Sequence, residues 1–342
     1  MKNLKLFPIL IVSFIALSIT SCRNQDIDFP NFDYTTVYFA YQYPVRTIVL
    51  GEDIYDTSLD NEHKCEIYAT MGGVYSNNKQ VDIDFTVDNS LCNNLFFSTN
   101  APVTAMPSTH YSLGAGKISL KNALQGSVLV QLTDAFFSDP KSISNTYVIP
   151  LRMTKVVNAD SILSGTPKVQ NPIKTRTSDW DVQPKDFVLY CVKFINQWHA
   201  NYLRRGVDMI TQDGTTTTKV RHAQFVENNE VIGLKTLSLK AVEYTVNIVN
   251  AVGENTPCKL LLTFDGNNKC TVSSSTTGFE VTGTGTFIEK GEKNSWGNKD
   301  RNALYLDYNI SMTGRSYSTK DTLVARDRGV KLETFKPNYN VN

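Results

Sequence analysis

Short segments of two-residue alternation recur along this chain and leave it little choice of secondary structure. In Leu304-Tyr305-Leu306-Asp307-Tyr308-Asn309-Ile310, Leu304, Leu306, Tyr308 and Ile310 share one face, and Tyr305, Asp307 and Asn309 share the other. Val81-Asp82-Ile83-Asp84-Phe85-Thr86-Val87 alternates in the same way. A period of two marks a half-buried β-strand, because successive side chains point to opposite faces. Long Ala/Leu/Glu/Lys stretches of helical spacing are missing, and Thr, Val, Tyr and Ile runs replace them. The chain is predicted to be all-β.

Its 342 residues suit two domains of roughly 100–200 residues each. Residues 33–155 carry strand candidates at 36–41, 46–50, 65–70, 81–87, 117–120, 128–133 and 147–152. Pro44, Gly51 and Gly72-Gly73 punctuate them. Short strands separated by turn signals predict an immunoglobulin-like β-sandwich. Pro150 cannot donate to a ladder, so 147–152 reads as an edge strand. Periodicity is lost over 156–185, which holds Gly165, Pro167, Pro172 and Pro184 and is read as a linker. Residues 186–342 carry further candidates at 186–193, 200–206, 217–225, 233–239, 242–249, 258–264, 269–274, 278–288, 302–311 and 316–326. Asp265-Gly266-Asn267-Asn268 is a strong hairpin turn. This density of antiparallel strands predicts a lipocalin-like β-barrel.

The first residues read as an address. Lys2 and Lys5 precede an apolar run from Leu6 to Leu17, too short to span a bilayer of about 30 Å as a helix. Ile19-Thr20-Ser21-Cys22 resembles a bacterial lipobox, which implies a signal peptide over 1–21 and lipidation of Cys22. Several lipid chains, at about 0.8 kcal/mol per buried CH₂, make a durable anchor. Residues 22–32 are the expected tether. Its acids Asp26 and Asp28 resemble a surface-export signal, so the expected location is the outer membrane, facing the cell exterior.

Composition removes other classes. The chain has 34 Lys and Arg against 33 Asp and Glu, and cleavage at Cys22 removes two lysines and no acid. A near-neutral chain lacks the cationic excess that nucleic-acid binding needs. The cysteines beyond Cys22 are Cys65, Cys92, Cys191, Cys258 and Cys270, an odd number with no CxxC and no zinc-ligand spacing. Cys191, within Phe187–Val192, reads as a buried thiol. A turn at Gly266-Asn267 does not set Cys258 opposite Cys270.

Several segments are similar to a group of Bacteroidetes outer-surface lipoproteins encoded beside starch-utilisation-type glycan importers. In the first half these are Tyr111-Ser112-Leu113, Lys117–Leu120, Val130–Phe137 and Tyr147–Leu151. In the second half they are Asp186–Tyr190, Tyr202–Gly206 and Ser295–Tyr308. The resemblance implies an immunoglobulin-like N-terminal module, a lipocalin-like C-terminal module, and glycan binding for an outer-membrane importer. Relatives that carry a glycosidase barrel show a run of alternating acids ending in a catalytic Glu, and this chain has none.

No catalytic motif replaces it. His63, His110, His199 and His222 are scattered, and no nucleophile elbow, Walker loop or dinucleotide fingerprint occurs. Asp300 with Asp307, and Asp82 with Asp84, read as turn and strand-face acids rather than a glycosidase pair. The chain is therefore expected to be no enzyme and to need no metal or cofactor. Rival readings are a glycoside-active enzyme with an unrecognised site and an adhesin-like protein binder. Sugars present C–H faces to aromatic rings and hydroxyls to planar polar groups. Trp296 beside Asp300 and Arg301 is the first candidate platform, Trp198 with His199 the second, and Trp180 between two acids the third.

Overall fold

The computed structural model describes residues 30–340. The signal peptide, Cys22 and the first part of the tether lie outside the described residues. Among the described residues the chain is almost entirely β, with curled sheets in the N-terminal region and a closed barrel in the C-terminal region.

The N-terminal unit stacks two sheets. One runs in the order Ser161–Ile162, Thr36–Tyr38, Lys64–Gly72, Gln125–Leu132, Tyr111–Leu113. The other runs Glu333–Thr334, Pro44–Val49, Phe187–Ile195, Tyr147–Val157, Gln80–Val87, Lys117–Lys121. Val37, Ile67 and Val128 from the first meet Ile48, Ile83, Ile149 and Phe194 from the second in one buried core. The second sheet is also covered on its far side, where Val148, Phe187, Leu189 and Cys191 pack on Leu95, Phe97 and Phe335.

Three expectations meet a different arrangement here. Phe187–Ile195, read as the barrel's first strand, pairs antiparallel with Tyr147–Val157 and parallel with Pro44–Val49. It is buried on both faces, which is why its sequence is a continuous apolar run. Tyr147–Val157 is an interior strand, not an edge. Pro150 is tolerated because the neighbouring strand ends beside it: Val87 pairs with Leu151, and only the Asp88 N–H reaches the Pro150 carbonyl, at 2.9 Å. Residues 156–185 are folded onto the sandwich. Leu163 N–H donates to the Val37 carbonyl at 3.0 Å, and Thr166–Pro167 pairs with Trp180–Val182.

The C-terminal unit is a closed eight-strand barrel. Its meander runs from Ala200–Gln212 through Glu230–Ser238 and onward to Arg315–Asp327, which returns to pair with Ala200–Gln212 over its whole length. The hairpin strand Thr215–Arg221 branches from Ala200–Gln212. Gly285 permits the tight curl, since a Cβ there would meet Leu306 Cδ2 at 2.4 Å and Cys270 Sγ at 2.8 Å. The face read from Leu304, Leu306, Tyr308 and Ile310 points inward, where Tyr202, Tyr244 and Tyr308 are fully buried. Deeper still lies a charged knot that alternation alone does not reveal. Asp321 accepts from Arg204 Nε at 3.1 Å, Arg221 Nη2 at 2.8 Å and Tyr308 Oη at 2.8 Å. Gly206 leaves room for it, because a Cβ would stand 2.7 Å from Asp321 Oδ1.

The units are pinned together. Arg328 donates from Nη2 to the Leu50 and Asn196 carbonyls at 3.0 and 2.7 Å. Its Nη1 reaches the Glu52 carbonyl at 2.8 Å and its Nε the His199 carbonyl at 2.7 Å. Gly51, at φ 86°, allows the approach, since a Cβ would meet Gln197 Cβ at 2.8 Å. Beyond the barrel the chain returns to the sandwich, where Phe335 packs edge-on against Tyr43 and beside Phe97.

Candidate functional site

Trp296, Asp300 and Arg301 come together on the hairpin joining Glu280–Ser295 to Lys299–Met312. Lys290, Asn294, Gly297 and Asn298 adopt left-handed backbone there and fold the hairpin back on itself. The Arg301 guanidinium lies 3.5 Å from the Trp296 ring centroid, and the indole N–H donates to the Ala325 carbonyl at 3.1 Å. One indole face is thus occupied by the neighbour expected to read hydroxyls. Asp300 is held by the Asn294 N–H and the Lys293 ammonium, both at 3.0 Å, and these bonds keep its carboxyl below the usual range.

The other candidates stand apart. Trp198 is only 4% exposed and stacks on Phe264 at 3.8 Å between centroids. It is a core anchor at the barrel end facing the sandwich, because a flat apolar partner, not its polar sequence neighbours, determines where the indole goes. His199 Nδ1 accepts the Thr236 N–H at 3.0 Å, and burial with nearby Arg328 depresses the ring to about 4. Trp180 donates to the Ile173 carbonyl at 2.9 Å with Lys174 over its ring. Among the acid pairs, Asp307 faces outward to Lys320 and Asp82 is held by Ser119 and Lys117. Among the described residues no cluster of three or more His, Cys, Asp or Glu is placed to hold a metal.

A different constellation lies on the sandwich. A hollow of about 480 Å³ opens between Lys64–Gly72 and the Pro44–Val49 and Phe187–Ile195 strands. That volume falls within the ordinary range of ligand sites. Tyr41 and Tyr68 stand at it 63% and 52% exposed, and Tyr190 also lines it. Large exposed rings in a hollow are unusual, since an aromatic left in water forfeits its burial.

The polar groups around these rings are fixed. Glu66 accepts from Tyr68 Oη at 2.5 Å and Ser127 Oγ at 2.7 Å, and the bond to Glu66 pushes the phenol upward. Arg46 pairs with the buried Asp60, which also accepts the Val49 N–H at 2.8 Å. Desolvation raises the Asp60 carboxyl despite these partners. On the floor, burial pushes the Cys65 thiol up to about 12, so it is no nucleophile at neutral pH. Cys65, Cys92, Cys191, Cys258 and Cys270 are all free thiols.

Sequence reasoning missed this site, although the strand Cys65–Thr70 carried a signal. Glu66, Tyr68 and Thr70 alternate with buried Cys65, Ile67 and Ala69, which puts a tyrosine on the polar face.

Two family models match the chain. An N-terminal-domain family matches residues 31–160, and a domain of unknown function, DUF5627, matches residues 197–329. The second match spans the barrel. Among solved structures, a Bacteroides ovatus protein of unknown function is 48% identical with a TM-score of 0.87, covering 90% of this chain and 100% of that one. A Bacteroides ovatus multidomain protein including DUF1735 is 9% identical with a TM-score of 0.41, covering 88% of this chain and 100% of that one. An auxiliary nutrient binding protein from Bacteroides thetaiotaomicron is 13% identical with a TM-score of 0.34, covering 82% and 90%. No curated protein matches the chain.

Proposed function

The chain belongs to the family of that 48%-identical Bacteroides ovatus protein of unknown function, and we propose that it is a lipid-anchored surface protein that binds glycan for an outer-membrane importer. The observation that carries glycan binding is the sandwich hollow, where exposed Tyr41 and Tyr68 stand beside Glu66, Gln125 and Arg46. Sugar rings offer C–H faces to the tyrosines, and their hydroxyls meet Glu66 and Arg46 already held in place, so little ordering entropy is lost there on binding. The anchor rests on Lys2, Lys5, the apolar run and Cys22. The importer rests on the resemblance of the segments around Val130–Phe137 and Ser295–Tyr308.

Binding without chemistry is the reading these side chains favour. Both Glu66 oxygens accept from neighbours, and Asp60 is tied to Arg46 and a backbone N–H. Neither is a free acid facing a second carboxylate across a scissile bond. A panel of plant and host glycans, scored for retention and for released reducing sugar, tests the reading. Retention without release is expected. Release of reducing ends would make the protein an enzyme, and no retention would remove the glycan.

A further inference from the structure

We propose, resting on that reading, that the ligand is an extended neutral polysaccharide that runs from the tyrosine hollow across both units to the Arg301 corner of the barrel. Three hollows lie in series and share their walls. Arg46 and Leu332 line both the tyrosine hollow and a second of about 390 Å³, which opens beside Tyr55 and Asp56. Asp53 lines that second hollow and a third of about 150 Å³, bounded by Lys290, Asp300 and Arg301. Tyr55 is 72% exposed, so a ring for stacking recurs along the path.

Successive hollows share lining residues, and the two units are locked beside the middle of the row. The segment Glu52–Tyr55, directly after Leu50, lines the second and third hollows. Arg328 ties its Leu50 and Glu52 carbonyls to the barrel's first strand region, and Lys290 approaches Glu52 at 3.8 Å. A ligand confined to one hollow would need neither the alignment nor the lock. A chain of sugars spanning all of them gains affinity from each occupied position without a second association cost.

Charge on the path points to a neutral polymer. The linings of the three hollows together hold six Lys and Arg against seven Asp and Glu, and Arg46 is paired with Asp60, Lys290 with Glu52 and Arg326 with Asp327. Charges so nearly balanced offer donors and acceptors to hydroxyls with little net field. An acidic polymer would require uncompensated cations, as polyanions do generally.

Calorimetry of the mature chain with tetra- and octasaccharides of β-1,4-glucan, β-1,4-mannan and β-1,4-xylan, and with xyloglucan, galactomannan and polygalacturonate, tests this. The octasaccharide of the bound series is expected to bind at least about tenfold tighter than its tetrasaccharide. In Lys290→Ala and in Arg301→Ala that ratio is expected to fall to near one. Lys290 carries no ring contact, which keeps the test readable if Arg301→Ala disturbs Trp296. An octasaccharide no tighter than the tetrasaccharide, a ratio unchanged in both variants, or tightest binding to polygalacturonate overturns the extended neutral polymer and leaves the glycan reading standing. No binding by any probe overturns both.

Discussion

Arg328 Nη2 and the Leu50 carbonyl oxygen lie 3.0 Å apart, and this contact joins the last strand of the barrel to a loop of the sandwich. The same guanidinium serves three further carbonyls, so one buried cation satisfies acceptors from both units. Burial lowers its affinity for the proton, yet an arginine stays charged, and its donors are spent on carbonyls without a carboxylate partner.

Arg328→Ala is therefore expected to cost about 2–4 kcal/mol, because several buried carbonyls lose their donor at once. Arg328→Lys should recover only part, since an ammonium cannot span the same fan of acceptors. Thermal denaturation of the three proteins gives the order.

The C-terminal return is expected to stabilise the N-terminal unit. Phe335 packs among Tyr43, Phe97 and Phe187, and Glu333–Thr334 adds a strand beside Pro44–Val45. Phe335→Ala should cost about 3 kcal/mol. Hydrogen exchange should then quicken in Pro44–Val49 while Leu304–Ile310 stays protected. Equal loss in both would mean that the tail acts on the molecule as a whole.

Within the barrel, Asp321 is the shared acceptor of two arginines and two tyrosines. Asp321→Ala leaves the buried Arg204 with only the 3.4 Å carboxylate contact to Glu230, while Arg221 keeps Asp208, and should cost about 3–5 kcal/mol. Asp307→Ala, on the same wall's outer face, should change little. Chemical denaturation distinguishes the two.

Acid should weaken the fold through His199. Its ring sits at about 4 in the folded chain against 6.5 when free, mainly because burial penalises the charged form. Above the free value both states are neutral and the stabilisation is complete. Between the free and folded values the unfolded ring binds a proton that the folded ring refuses, so stability falls as pH falls. His199→Gln should flatten the melting temperature across that interval.

Much of the architecture was legible in single strands. Leu304–Ile310 announced its inward face, and Cys191 its burial. Partnership was less so: Phe187–Ile195 is apolar on both sides, and such a run does not say which sheet takes it. Trp198 reads as a candidate platform beside His199, but Phe264, distant in sequence, provides the flat surface it stacks on. The tyrosine hollow was readable only at Tyr68. Tyr41, Tyr190 and Leu332 reach it through strand pairing and the C-terminal return, which no local pattern encodes.

On the proposed function, Tyr68 is the sugar platform. The most direct measurement is the affinity of Tyr68→Ala for a neutral polysaccharide retained by the unaltered chain, with melting temperature recorded alongside. A loss of about 1–3 kcal/mol in binding is expected, the size of a single anchor ring, with the melting temperature nearly unchanged because the ring is half exposed. Unaltered affinity in a folded Tyr68→Ala protein would contradict it.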